Sequence, residues 1–179
     1  MNAVAARDGS TVHVVVMGVS GCGKTTVAEG LAEVMGWRFA EGDAYHPRAN
    51  IDKMASGSPL TDEDRVPWLR RLASWIGEQE VAGRSSVLSC SALKRSYRDV
   101  LRSGAPDVRF VHVHGKRSVL EERLSARPGH FFPARLLDTQ LETLEALDAD
   151  EAGVVVDIEL LPQEQVAAAM SGLGLDDPR

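Results

Sequence analysis

The chain has 179 residues, 44% of them hydrophobic, which is enough for one real core and too short for two comfortable domains. Its formal net charge of −6 offers no broad attraction to nucleic acid or anionic lipid, so a small soluble substrate is the expected partner. No apolar run approaches the roughly 20 residues of a membrane helix, MNAVAARDGST lacks a long apolar signal core, and Cys22 and Cys90 supply neither a disulfide scaffold nor a CxxC zinc pair; a cytoplasmic protein is expected.

In chain order, β-branched-rich runs recur at TVHVVVMG, a weak WRFA, SSVLSC, VRFVHVHG and GVVVDIEL, separated by segments of helical composition. That alternation predicts an α/β fold, a parallel sheet wrapped by helices. After Lys24, the residues Val27, Leu31 and Val34 make one apolar face, and Gly36 is a C-terminal stop. Thr61 before Asp62, Glu63 and Asp64 predicts a capped, acid-rich helix start, continuing through Trp68, Leu72 and Trp75 or Ile76. Leu136, Leu137, Leu141, Leu144 and Leu147 predict a helical stripe from Pro133 to Leu147, read as core. Nothing repeats, and the organisation expected is a single domain over 11–172 with flexible ends at 1–10 and 173–179.

Between the first strand and its helix lies Gly18-x-x-x-x-Gly23-Lys24-Thr25, a phosphate loop in its proper strand–loop–helix context. Glycines let successive backbone N–H groups face phosphate oxygens, and the following helix presents its positive end. Gly18, Ser20, Gly21, Cys22, Gly23, Lys24, Thr25 and Thr26 are the expected ATP-binding residues. Lys24 neutralises the β and γ phosphates, and the Thr25 hydroxyl ligates Mg2+. The loop alone leaves the phosphate acceptor open. There is no NKxD motif for a GTPase switch, and the chain is short for a motor ATPase. The third strand, VLSCSA, lacks the usual Asp, so the metal-side carboxylate has to come from Glu41 or Asp43 after the second strand.

MGVSGCGKTT, EGDAYHPRANIDKMASGSPLTDEDRVPWL, CSALKRSYRDVLR and RPGHFFPARLLDTQLETLE together resemble the gluconokinase family, within the wider group of shikimate and nucleoside monophosphate kinases, over about Val14 to Ala169. The resemblance implies a five-stranded parallel sheet of the three-layer P-loop type, an acceptor-binding region near 41–82, a mobile lid near 124–135 and a homodimer. It further implies transfer of the ATP γ-phosphate to the 6-hydroxyl of D-gluconate, with 6-phosphogluconate feeding the pentose phosphate pathway. A kinase for another small acid or a nucleoside monophosphate, and a regulatory module retaining the loop, are the alternatives. Cys22, Thr25 and Thr139 stand where serine is common in the family.

Within that reading Asp43 accepts the proton of the acceptor hydroxyl or aligns it, and Glu41 holds Mg2+ through water, both pointing to one side if they share an extended strand end. His46 and Asn50 suit polyol hydroxyls. The sugar acid's carboxylate calls for Arg65 or the Lys94, Arg95 and Arg98 cluster, where Lys94 and Arg98 share one helix face and Arg95 points elsewhere. Arg123 and Arg127 form a second i, i+4 pair; Arg127 opens the lid toward the phosphates, and His130 belongs to the acceptor site. As residues alone, Asp43 could equally cap a helix, His46 pack locally, and both basic clusters face solvent. His112 and His114, without a third ligand, are read as packing residues, and Arg48 as facing water.

Overall fold

A computed structural model describes residues 9–128 and 134–175. Five strands, β1 (His13–Met17), β2 (Arg38–Glu41), β3 (Ser86–Ser89), β4 (Val108–His114) and β5 (Gly153–Asp157), form one parallel sheet in the order β2-β3-β1-β4-β5. All five are the β-rich runs of the sequence. β1 is central and buried along its whole length, as a strand covered on both faces must be. Its side chains alternate between two cores. Val14 and Val16 pack with Val27 and Leu31 of helix α1 (Lys24–Met35), and with Ala169 of α7 (Pro162–Leu173). Val15 and Met17 pack with Trp68, Leu72 and Ile76 of α3 (Asp62–Val81), and with Leu101 of α4 (Arg95–Arg102). Each such fully buried side chain contributes about 1.5–3 kcal/mol before chain entropy is set against it.

Helix boundaries follow local chemistry. α1 ends at Gly36, whose φ of 66° is the left-handed stop a Cβ would resist. α3 opens on a capping box in which the Asp64 N–H donates to the Thr61 hydroxyl (3.2 Å), while the Thr61 N–H donates to the Asp64 carboxylate (2.8 Å). A short α2 (Arg48–Ala55) and one 3₁₀ turn (Gly42–Tyr45) connect β2 to it, and α5 (Arg117–Ser125) follows β4.

Two boundaries differ from the sequence reading. The helix predicted to reach Leu147 is α6 (Ala134–Thr143): the Glu145 N–H leaves it to donate to the Leu93 carbonyl at 2.8 Å, and Leu144 and Leu147 pack from the loop beyond. Leu136, on the predicted apolar stripe, is exposed, whereas Leu137 is fully buried. At the C-terminus, Leu173 and Leu175 belong to the core, so packing extends past the expected limit at 172.

Candidate active site

The loop between β1 and α1 uses glycine where the backbone demands it. Gly21 and Gly23 have φ of 83° and 84°, conformations costly for other residues, and Gly23 is the N-cap of α1, whose first residue is Lys24. The Cys22 thiol is buried beneath the loop, packed so closely that a Cβ on Gly18 would lie 2.7 Å from its sulfur. Burial raises its pKa against the opposing charges of Lys24 and Arg123, so this cysteine is a packing residue, not a nucleophile.

β2 runs next to β3, and Glu41 at its end reaches both the phosphate loop and the central sheet. Its carboxylate accepts from the Thr25 hydroxyl at 2.7 Å and from the Ser89 hydroxyl at 2.6 Å. Ser89 thus stands where the third strand lacks an Asp, and its part in the site was not foreseen. Gly42 follows because nothing larger fits: a Cβ there would lie 2.2 Å from the Ser89 carbonyl oxygen. Asp43 lies in the 3₁₀ turn and not on an extended end, so strand alternation does not relate it to Glu41. Both charges nevertheless converge on one place. The Cys90 thiol is driven up to about 12, chiefly by burial, with Asp43 and Glu41 adding to the rise and the Ala92 backbone and Lys24 opposing it. All three charges are thus within electrostatic reach of Cys90, just past the end of β3, with Asp43 exposed.

His46 and Asn50 form a unit with Trp68. The His46 ring stacks on Trp68 with centroids 4.2 Å apart and planes 15° from parallel, and the Trp68 indole N–H donates to the Gly42 carbonyl at 2.8 Å. Burial, opposed by Asp43 and assisted by Arg65, lowers the His46 pKa and keeps the ring neutral at pH 7. Asn50 is buried, and its amide N–H groups donate to the Asp64 carbonyl (2.9 Å) and to His46 Nδ1 (3.3 Å). An amide nitrogen only donates, so Nδ1 must accept, and the neutral ring carries its proton on Nε2. Asn50 accordingly fixes the tautomer of His46. Trp68, read from the sequence only as a helix core residue, is its platform.

Of the basic residues assigned to a carboxylate, the fold unites two and removes one. Arg65 and Lys94 each lie 5.7 Å from the centre of the Tyr97 ring, which brings them to one neighbourhood. Lys94 pairs with Asp62 at 2.9 Å, Tyr97 donates to the same carboxylate, and Arg65 donates to the Leu60 carbonyl. Arg98 is a correction. Lys94 is the N-cap of α4 and not a helical residue, so the two do not share a face. Arg98 turns inward, with a side chain 0% exposed, and pairs with the equally buried Glu151 at 2.7 Å and 3.0 Å. Its remaining donors serve the carbonyls of Ala92, Leu93, Glu145 and Ala146, which leaves no fork for a ligand. Arg95 points elsewhere, as expected, to Asp99, Asp148 and Asp150.

On the other side of the loop, Arg123 donates to the Ile158 carbonyl, and Nη1 lies 3.7 Å from where a Cβ of Gly23 would be. Its guanidinium is thus over the phosphate cradle. Arg127 is exposed just beyond α5; His130 lies outside the described residues, as does part of the expected lid. From α6, Gln140 reaches Ser20: its carbonyl oxygen accepts the Ser20 N–H at 2.7 Å, and its amide donates to the Ser20 hydroxyl at 3.1 Å. His112 and His114 meet edge to face at 5.3 Å, with His112 buried, and Arg48 is exposed beside Asp52.

A glycine-turned phosphate cradle on the central strand, with a carboxylate from the neighbouring strand hydrogen-bonded to its threonine, defines a P-loop kinase. The family model described as AAA domain, a P-loop family, matches residues 14–147. A gluconokinase of Gluconobacter oxydans (strain 621H) is 55% identical over 148 residues, 83% of each chain. The crystal structure of a gluconokinase from Sinorhizobium meliloti 1021 superposes with a TM-score of 0.81 at 51% identity, covering 94% of this chain and 93% of that one. A shikimate kinase from Bacteroides thetaiotaomicron shares the fold alone, with a TM-score of 0.67 at 17% identity over 92% and 99% of the two chains. The chain belongs to the gluconokinase family.

Proposed function

We propose that this chain transfers the γ-phosphate of ATP to the 6-hydroxyl of D-gluconate, giving 6-phospho-D-gluconate and ADP. The observation that carries the reading is the Thr25–Glu41 hydrogen bond, which joins the phosphate loop to the acceptor segment. A threonine hydroxyl and one carboxylate suit Mg2+, which keeps several waters and takes its other oxygens from substrate phosphates. Thr25 would ligate the ion directly and Glu41 through water, and the ion would offset the charge of the triphosphate.

The chain's own residues divide the remaining work. Lys24, Arg123 and, from the lid, Arg127 neutralise the phosphates, with Gly18 to Thr26 as their cradle. Asp43 orients the 6-hydroxyl and takes its proton. The Nε2–H of His46 donates to a polyol oxygen, with Asn50 holding the ring. Arg65 and Lys94, both beside Tyr97, receive the sugar-acid carboxylate. His130 completes the acceptor contacts. The same reading makes the protein a cytoplasmic homodimer acting in gluconate catabolism; among the described residues no helix is long and apolar enough to cross a membrane.

The test is ADP release with ATP, Mg2+ and a panel of sugar acids, shikimate and nucleoside monophosphates. The expected result is strong dependence on gluconate and a new phosphomonoester at C6 by NMR. Equal hydrolysis with every acceptor would indicate a regulatory module, and dependence on a nucleoside monophosphate would overturn the acceptor.

A further inference from the structure

Ser20 is the third residue of the eight-residue phosphate loop, and its polar groups are arranged by a residue 120 positions away. Its N–H must meet an oxygen, which fixes the orientation of the Gln140 amide: Oε1 takes the N–H, and Nε2 faces the Ser20 hydroxyl as a donor. The hydroxyl oxygen is therefore an acceptor in this contact. Its own proton has no acceptor among the described residues and remains available at the mouth of the loop.

The arm that delivers Gln140 is held at two points. Leu137, one turn earlier, is fully buried in the core. Five residues later, the Glu145 N–H donates to Leu93, Arg95 N–H donates to the Glu145 carboxylate at 2.6 Å, and Arg98 holds the Glu145 and Ala146 carbonyls at 3.1 Å. A carboxamide so anchored imposes one polarity on Ser20 and does not merely follow it.

We propose that Gln140 is a positioning residue for triphosphate selectivity: it holds the Ser20 hydroxyl as a hydrogen-bond donor to the terminal phosphate of ATP, and thereby favours ATP over ADP. The proposal rests on the kinase reading but not on the identity of the acceptor. A neutral donor meeting an anionic oxygen forms a charge-assisted bond, stronger than the same hydroxyl makes to water.

The test is calorimetric binding of ADP and of a non-hydrolysable ATP analogue to wild type, Ser20→Ala, Gln140→Ala and the double variant, with Gln140→Met as the apolar isostere that keeps the packing of α6. Each single variant is expected to weaken the analogue about tenfold and leave ADP within about twofold. The double variant should match Ser20→Ala in its preference for the analogue over ADP, because that preference passes only through the Ser20 hydroxyl. Rescue would distinguish the mechanism from packing: Gln140→Met should be as defective as Gln140→Ala, although it melts like wild type. Equal losses for ADP and analogue, additive losses of selectivity in the double variant, or wild-type selectivity in Gln140→Met would each overturn the proposal. Because no sugar acid is present, a wrong acceptor assignment would leave these outcomes unchanged and would appear only in turnover.

Discussion

Replacing Arg98 by methionine separates a structural arginine from a substrate-binding one. The variant keeps most of the side-chain volume but leaves Glu151, 0% exposed, without its bidentate partner, and strips donors from the carbonyls of Ala92, Leu93, Glu145 and Ala146. Breaking a buried pair from one side costs about 3–5 kcal/mol. The Asp148 N–H, 2.8 Å from the Glu151 carboxylate, and Arg95, 3.9 Å away, retain some compensation, so the lower part of that range applies. For a domain of this length each kcal/mol lowers Tm by about 2–4 °C, which puts the expected drop near 10 °C by scanning calorimetry. Arg98→Met/Glu151→Leu, which removes both charges, should recover much of the loss. A Tm within about 2 °C of wild type, coupled to a raised gluconate KM, would return Arg98 to the acceptor site and refute the structural assignment.

Four further outcomes are expected. Asp43→Asn should lower kcat by about 10²-fold or more with little change in ATP affinity, read by steady-state kinetics and nucleotide titration; a normal kcat would remove Asp43 from the chemistry. Arg65→Lys should raise the gluconate KM about tenfold with kcat nearly intact, since a point charge replaces a fork, and an unchanged KM would count against it. Glu41→Gln should raise the Mg2+ concentration for half-maximal activity several-fold, on the order of 1 kcal/mol of lost outer-sphere support, and an unaltered Mg2+ titration would place Glu41 outside the metal site. His112, whose pKa burial lowers to about 4 with help from His114 and Arg98, sets a pH slope. Between pH 6.5 and about 4 the unfolded chain takes a proton that the folded chain refuses, so stability falls as the pH drops through that window, by up to about 3 kcal/mol. Urea unfolding of wild type and His112→Gln at pH 7 and pH 4.5 measures it; parallel curves would show that His112 is not the source.

The sheet, the phosphate loop and the caps of α1 and α3 were legible because their signals are local: alternation, glycine spacing and a threonine three residues ahead of an aspartate. What could not be read was decided by tertiary partners that no local pattern names. Spacing put Lys94 and Arg98 on one face, but the side chain of Arg98 follows Glu151, 53 positions later, and is pulled into the interior. Asn50 has the chemistry of a sugar ligand, yet the nearby Asp64 carbonyl and His46 ring claim its amide. The leucine pattern ran on past Thr143 because Leu144 and Leu147 are apolar for the core's sake, while the backbone there had already turned toward Leu93. Ser89 carried no motif, and Gln140, though inside the family-like stretch RPGHFFPARLLDTQLETLE, had no role assigned; only the proximity of β2 to β3 and of α6 to the loop reveals them.

The strand order β2-β3-β1-β4-β5 has a consequence for how such an enzyme can change its substrate. Everything proposed to recognise the acceptor, from Asp43 through Lys94, except His130, hangs from the two strands on one flank of β1, whereas Arg123 and Gln140 come from helices that follow β4 on the other. Mutations between β2 and β3 can therefore accumulate without touching the anchor of the Gln140 arm, which rests on Leu93, Arg95 and Arg98 after β3. A transplant of residues 42–82 between relatives would exchange most of the acceptor pocket as a cassette, with the Gly42–Ser89 contact as the seam that both parents must share.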